Sequence, residues 1–301
     1  MTRMRPMICR INSSRKDIKM SNLEKNPFEN AIDDIVEAAK ETNAREDGDY
    51  IGEDGLLYCG KCHTRKERIL TIFGDNRKVP MNCACRQAAY VAMQADMRRK
   101  QLDIRRDEAF ALSEMKDWTF ANDDGANPKL TEALKRYVDG FPRMIEKAQG
   151  IMLYGNSGTG KTFAACEVAN ALIDKGYRVF VSSFSRMANA MQSTWDGRQE
   201  YLNDLARYQL IVIDDLGVER QTQYMQEIVY NIVDARYRSR LPMIVTTNLD
   251  ISEIKKPSDV SNTRIYDRLI EMCFPIEVSG ASRRRGKVRE SYNGMKQFLG
   301  L

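Results

Sequence analysis

Apolar residues in the second half of the chain concentrate in short blocks, at 151–154, 179–183, 210–213, 243–247 and 275–278. Each block is too short for a helix and too continuous for a strand with one wet face. Each therefore predicts a strand covered on both sides. Between the blocks the apolar period changes to 3.6, predicting helices over 163–175, closed by Gly176, and over 228–237. Strands separated by helices imply βαβ units, so this half reads as an α/β domain with a parallel five-stranded sheet.

The first half has a different texture. Residues 26–43 predict a helix, with Pro27 in its first turn and Ile32, Ile35, Val36 and Ala39 on one stripe. Residues 44–56 are acidic and contain glycine, which predicts a loop. A cysteine-bearing module spans 57 to about 86, and 87–116 predict one long polar helix with too few apolar positions for a core. Such a helix suits a linker or a partner-binding role. Residues 121–128 read as a loop and 130–141 as an amphipathic helix. The expected organisation is an N-terminal helix and cysteine module over 20–90, a helical linker over 91–117 and the α/β domain over 118–301. Residues 1–19 are rich in Arg and Ser without pattern and read as disordered or as an upstream extension, with Met20 the expected start.

Composition narrows the class. The 301 residues are 43% hydrophobic, enough for a sizeable core. The net charge of +5 says little, but its distribution says more. Basic residues cluster in the first twenty positions, in 98–106 and in the tail Arg283-Arg284-Arg285-Gly286-Lys287-Val288-Arg289, a pattern suited to a nucleic-acid backbone and equally to a solvated face. No apolar run reaches the roughly 18 residues of a membrane span, so no membrane contact is expected. Seven cysteines without a signal segment point to a reducing, cytoplasmic setting.

Chemistry enters at Gly155-Asn156-Ser157-Gly158-Thr159-Gly160-Lys161-Thr162, a phosphate-binding P-loop lying between a predicted strand and a predicted helix. Glycines let backbone N–H groups turn inward as an anion nest at a helix N-terminus. Lys161 can reach the β- and γ-phosphates of ATP, and the Thr162 hydroxyl can hold Mg²⁺. A second strand ends in Asp214-Asp215, the form of a Walker B. Asp214 can hold Mg²⁺ through water, and Asp215 can polarise an attacking water. A third strand ends at Asn248, whose carboxamide can orient that water, although an asparagine there also suits a plain turn.

Cys59-Gly60-Lys61-Cys62 is followed, after twenty intervening residues, by Cys83-Ala84-Cys85. Two close thiolate pairs joined by such a loop can close a tetrahedral Zn²⁺ site, with His63 an alternative ligand. Cys166 and Cys273 read as small buried hydrophobes. Phe184 and Arg186, followed by Trp195, Arg198, Tyr201 and Arg207, interleave aromatics with arginines. With the basic tail they could line a path for single-stranded DNA, or the aromatics could pack a helix onto the sheet.

The three nucleotide-site elements, in this order, resemble the AAA+ ATPases. More narrowly the chain resembles the DnaC/DnaI/IstB group of bacterial and phage replicative helicase loaders and their transposition relatives. The matching residues are 155–162, Ile211-Val212-Ile213-Asp214-Asp215-Leu216-Gly217, Asp234-Ala235-Arg236-Tyr237, Val245-Thr246-Thr247-Asn248-Leu249 and Arg264-Ile265-Tyr266-Asp267-Arg268-Leu269. The resemblance implies a sheet of AAA+ order with a reduced lid, and ATP-dependent self-association. It also implies single-stranded DNA binding and a hexameric replicative helicase as partner through the N-terminal region. It further implies that Arg268, or Arg264, completes a neighbouring subunit's site, the alternative being a helix-surface arginine. Arg283 takes the place of the family's arginine after the last strand. Asp215 stands where many AAA+ proteins carry Glu, which favours slow hydrolysis and keeps a non-hydrolysing adaptor open. An IstB-type transposition ATPase acting on duplex DNA with a transposase is the alternative to a loader, and the cysteine module argues against it.

Overall fold

The structure is a computed structural model that describes residues 45–72, 74–111, 113–192, 197–217, 222–257, 260–283, 292 and 294–300. The predicted helix over 26–43, the first nineteen residues, Cys9, Trp195 and the tail residues 284–290 lie outside the described residues. The chain divides into two compact units, one ending at Ala95 and the other beginning at Asp96.

In the first unit β1 (Tyr50–Ile51) pairs antiparallel with β2 (Leu57–Tyr58), and β3 (Glu67–Ile72) with β4 (Asp75–Pro80). The expected loop over 44–56 thus contains a strand. An ion pair 17 residues apart in sequence orders it: Lys66, 2% exposed, meets Asp49 at 2.6 Å. The same carboxylate accepts the N–H groups of Glu46 and Gly60, and Lys66 beside it holds its pKa down to about 2. A buried charge pair survives only with such added hydrogen bonds. Helix α1 (Ala84–Phe110) begins three residues before the expected start, where the Thr64 hydroxyl accepts the Ala84 N–H. It also stops six residues early, at Ala111, whose φ is +48°. Its last residues, Ala109 and Phe110, are buried in the core of the second unit, so the C-terminal end of this polar helix is a packed element.

The second unit continues with α2 (Pro128–Asp139), capped by the Asn127 side chain, then α3 (Phe141–Lys147), β5 (Gly150–Tyr154) and α4 (Lys161–Asp174). Next come β6 (Val179–Ser183), α5 (Phe184–Gln192), α6 (Arg198–Leu205), β7 (Leu210–Leu216) and α7 (Gln223–Ser239). The described chain closes through β8 (Met243–Thr247), α8 (Ile251–Lys255), α9 (Val260–Met272) and β9 (Cys273–Glu277). All five strands are parallel, in the order β6-β7-β8-β5-β9. β9 begins two residues before the expected block, and Val278 lies just past its end with its N–H on the Tyr154 carbonyl.

Alternation along the strands explains why the blocks look continuous. Ile151, Leu153, Val212 and Ile244 face the core that contains Cys166, Val168 and Leu172 of α4. Met152, Ile211, Ile213, Met243 and Val245 face the opposite core, with Ile228, Ile232 and Val233 of α7 and Leu269 of α9. Both faces are dry, so both parities are apolar. Cys166 and Cys273 are fully buried within these cores. No described helix is long and apolar enough to cross a membrane.

Candidate nucleotide site and cysteine centre

The carboxyl ends of parallel strands form the crevice where ligands of open α/β sheets bind. Here β5, β7 and β8 bring the three predicted elements to that edge. The loop from Gly155 to Gly160 joins β5 to α4, with φ at Gly155, Gly158 and Gly160 of +137°, +84° and +101°. At Gly160 this left-handed backbone strains any side chain, and the Arg283 guanidinium lies 3.0 Å from the place of a Cβ. Lys161, 5% exposed, donates to the carbonyls of Gly155 at 2.9 Å and Asn156 at 2.8 Å and to Asn248 Oδ1 at 2.7 Å. β5 and β8 pair with Tyr154 opposite Thr247, which sets the P-loop beside Asn248.

On β7 the register against β8 shifts between Ile213 and Leu216, so Asp214 and Asp215 form an irregularity at the strand's end. Asp215 has a φ of +58°, an uncommon conformation for a side-chain-bearing residue. Thr246 of β8 spans the irregularity. Its hydroxyl donates to Asp214 Oδ1 at 2.6 Å and accepts the Asp215 N–H at 3.0 Å. Thr162 sits half-buried in the first turn of α4. One hydroxyl and one carboxylate at this edge suit a Mg²⁺ that keeps several waters and takes its remaining oxygens from phosphate. A nest of left-handed glycines, a helix N-terminus and a buried lysine likewise suit a triphosphate.

The arginines separate into two kinds. Arg268 is committed within its own chain: it meets Asp234 of α7 at 2.7 Å and lies over the rings of Tyr230 and Tyr237 at 4.7 and 5.5 Å. This is the helix-packing alternative, and it arises because α9 packs lengthwise on α7. Arg264, one turn earlier, is exposed, and among the described residues it makes no ion pair. Arg283 donates its N–H to the Gly158 carbonyl and pairs with Asp124 of the loop before α2 at 3.1 Å.

Two buried charges in this unit carried no expected role. Glu167 on α4 is 3% exposed, and its Oε1 finds no hydrogen-bond partner among the described residues. Burial, then the nearby Asp123 carboxylate, pushes its pKa up to about 8. Because this lies above the usual 4.5, the protonated form contributes stability that is full below the ordinary value and is lost as pH rises through 8. Glu167→Gln is therefore expected to melt close to wild type at about pH 5 and several degrees higher at about pH 9. Thermal denaturation at the two pH values checks this.

Arg236, 2% exposed, spends all five of its N–H groups on carbonyls. Pro242 accepts two, and Leu205, Tyr208 and Gln209 one each. Burial pushes its pKa down to about 9, still well above neutrality. The guanidinium ties the end of α7 to the segment that feeds β7. Arg236→Met leaves those carbonyls unpaired and is expected to cost about 2–4 kcal/mol. A fall in melting temperature of roughly 5–15 °C is the expected reading. The residue was visible within the family pattern, but its partners lie on other segments.

The four Sγ atoms of Cys59, Cys62, Cys83 and Cys85 all lie within 4.8 Å of one another, with Cys59–Cys85 at 3.6 Å and Cys83–Cys85 at 3.3 Å. A tetrahedral site with Zn–S near 2.3 Å has S–S edges of roughly 3.8 Å. The cluster is thus compatible with zinc. His63, exposed and tilted against Tyr50 with ring centroids 5.8 Å apart, is not part of it.

The expected aromatic path on α5 and α6 requires correction. Phe184 is 1% exposed and packs in the core beneath α5 with Met187 and Met191, so it cannot stack on a base. Tyr201 packs against the same core, Arg198 lies over Tyr224, and Arg207 pairs with Asp204. These aromatics anchor helices to the sheet. Arg186 on α5 and Arg207 are exposed.

A P-loop between β5 and α4, a Walker B on the strand next but one and Asn248 on the strand between define a P-loop nucleotide-binding protein of AAA+ order. The family model described as IstB-like ATP binding protein matches residues 90–291, and the chain belongs to that family. Within it the chain is DnaC/DnaI/IstB-like. It is 26% identical over 210 residues to the replicative helicase loader DnaI of Bacillus subtilis, covering 64% of this chain and 67% of that one. To the replicative helicase loader DnaC of Escherichia coli it is 30% identical over 150 residues, covering 48% of this chain and 58% of that one. The chain therefore spans little more than half the length of the latter. A crystal structure of DnaI superposes over 54% of this chain and 90% of that one, with a TM-score of 0.45 and 23% identity.

Proposed function

We propose that this chain is an ATP-driven loader of a hexameric replicative helicase onto single-stranded DNA, with ATP binding and hydrolysis timing assembly and release. The observation that best supports hydrolysis is the meeting of Lys161 and Asn248 at 2.7 Å, beside a Walker B pair that shares one threonine hydroxyl. The loader role rests on the relatives named as replicative helicase loaders.

The chemistry assigned to the chain's own groups is as follows. The P-loop N–H groups and Lys161 bind and orient the β- and γ-phosphates, and Lys161 offsets charge that develops on the transferred group. Asp215 accepts a proton from the attacking water, and Asn248 orients that water. Thr162 and Asp214 would hold Mg²⁺, which supplies charge neutralisation on the phosphates. Arg283 reaches the phosphates by leaving Asp124. A guanidinium supplied in trans couples hydrolysis to assembly, and Arg264 is the better placed to supply it, since Arg268 is occupied in cis. Arg264→Ala is expected to lower DNA-stimulated turnover at least tenfold with an unchanged melting temperature, while Arg268→Ala lowers the melting temperature. The reverse pattern returns the role to Arg268.

Turnover of ATP by the purified protein, measured alone, with single-stranded DNA and with duplex, tests the proposal. Stimulation by single strands, together with co-purification of a hexameric helicase that fails when residues 20–90 are removed, is the expected result. Stimulation by duplex only would favour the second reading, a transposition ATPase, which the family's own description keeps in view. Tight nucleotide binding without turnover would make the chain a nucleotide-ordered adaptor.

A further inference from the structure

We infer that Thr246 is a positioning residue for the Walker B pair, joining the orientation of the metal-binding carboxylate to that of the general base through one hydroxyl. The inference deepens the ATPase reading above and rests on it.

A threonine hydroxyl has one proton to give and lone pairs to accept with. At Thr246 the proton goes to Asp214 Oδ1 at 2.6 Å, and a lone pair takes the Asp215 N–H at 3.0 Å. Both partners lie in the segment where β7 slips its register against β8, between Ile213 and Leu216. In a regular ladder the Asp215 amide would find a strand carbonyl. Here the backbone turns to a φ of +58°, and the threonine side chain takes that amide instead. Such a conformation persists where surrounding contacts over-determine it. Thr246 is fully buried, so water cannot replace the hydroxyl.

The consequence is directional. Asp214 keeps one oxygen engaged, which fixes the plane of its carboxylate. Asp215 keeps its main chain turned, which fixes where its own carboxylate emerges. Because Thr246 lies two residues before Asn248 on β8, the same strand carries the carboxamide that touches Lys161. The neighbouring Thr247 faces elsewhere, donating to the Leu216 carbonyl and accepting the Leu249 N–H. Thr246, by contrast, addresses both aspartates.

The test compares wild type, Thr246→Val and Thr246→Ser in the full chain. The readouts are kcat and KM for ATP, and the affinity of a fluorescent ATP analogue with Mg²⁺ and with EDTA. Valine keeps the volume and removes the hydroxyl, while serine restores it. Supporting the positioning role, Thr246→Val lowers kcat and the Mg²⁺-linked gain in nucleotide affinity by about 10- to 100-fold. KM and EDTA-state affinity then stay within about threefold, and serine recovers most of both losses. A folded Thr246→Val protein with kcat and Mg²⁺-linked affinity within about twofold of wild type overturns it. So does a loss that serine does not recover. Should valine prevent folding, Thr246→Cys, with its weaker donor and acceptor, makes the same comparison. If wild type binds Mg·ATP without turning it over, hydrolysis fails as a reading, and the Mg²⁺-linked affinity alone decides the role of Thr246.

Discussion

Removing metal with a strong chelator, or replacing Cys59 and Cys85 by serine, unfolds residues 49–86 and leaves the five-stranded sheet intact. That is the expected outcome because the module has almost no core. Its described buried residues are Asp49, Leu56, Leu57, Cys59, Lys66 and Cys83, two of them an ion pair that stabilises little by itself. A structural zinc in a small domain contributes on the order of 10 kcal/mol or more to folding at neutral pH, far above what two leucines supply. The thiols are arranged for it. The Thr64 hydroxyl leads in drawing the Cys62 pKa down to about 5, while the Cys83, Cys59 and Cys62 groups push Cys85 up to about 12. Limited proteolysis should cut within 49–86 only after chelation, and metal analysis should find one zinc per chain. Zinc-free protein with a protease-resistant module would sink the expectation. So would a melting transition of the sheet that moves with the metal.

Lys161→Met is the second large effect. The ammonium lies between two P-loop carbonyls and the Asn248 carboxamide. A P-loop lysine is a point-charge donor to phosphate oxygens, and methionine removes both the charge and the donors. Loss of one preorganised donor at developing charge costs about 10²- to 10³-fold in turnover. Turnover is expected to fall at least that far and nucleotide affinity to fall with it. The fold should hold, because methionine fills the volume and the three oxygens lie at a water-accessible edge. Steady-state hydrolysis, nucleotide titration and thermal melting read the three quantities. Turnover within tenfold of wild type would mean that the P-loop is not the hydrolytic centre.

Much of this was legible along the chain because its cause is local. Blocks such as 179–183 and 243–247 coincide with β6 and β8, since a strand dry on both faces has no polar parity to blur its edges. The glycines at 155, 158 and 160 mark positive φ for a reason confined to their own backbone. Four cysteines at close spacing announce a cluster because few other environments hold so many thiols together.

Other features depend on which segments the fold brings together, and periodicity carries no trace of them. Phe184 lies between Ser182-Ser183 and Ser185-Arg186, a setting that reads as surface, yet α5 turns it inward. Arg268 and Arg264 lie in one matched segment with Arg268 the first choice, and the packing of α9 on α7 is what pairs Arg268 with Asp234, thirty-four residues away. The first strand, β1, was hidden in an acidic stretch because the Asp49–Lys66 pair that orders it closes across the module.

The sequence by itself determined the class of site: which strands end at the P-loop edge of the sheet, which lysine and aspartates stand at that edge, and that a metal-type cluster precedes them. These follow from backbone conformation and solvent exclusion, which act residue by residue. Tertiary structure alone decided how those groups are held. Thr246 joins both aspartates, and Arg236 gathers carbonyls from residues 205–209 and 242. Each is a contact between segments whose separation along the chain says nothing about their distance in space. The register of parallel strands and the packing of helices set those distances, and both are properties of the assembled fold.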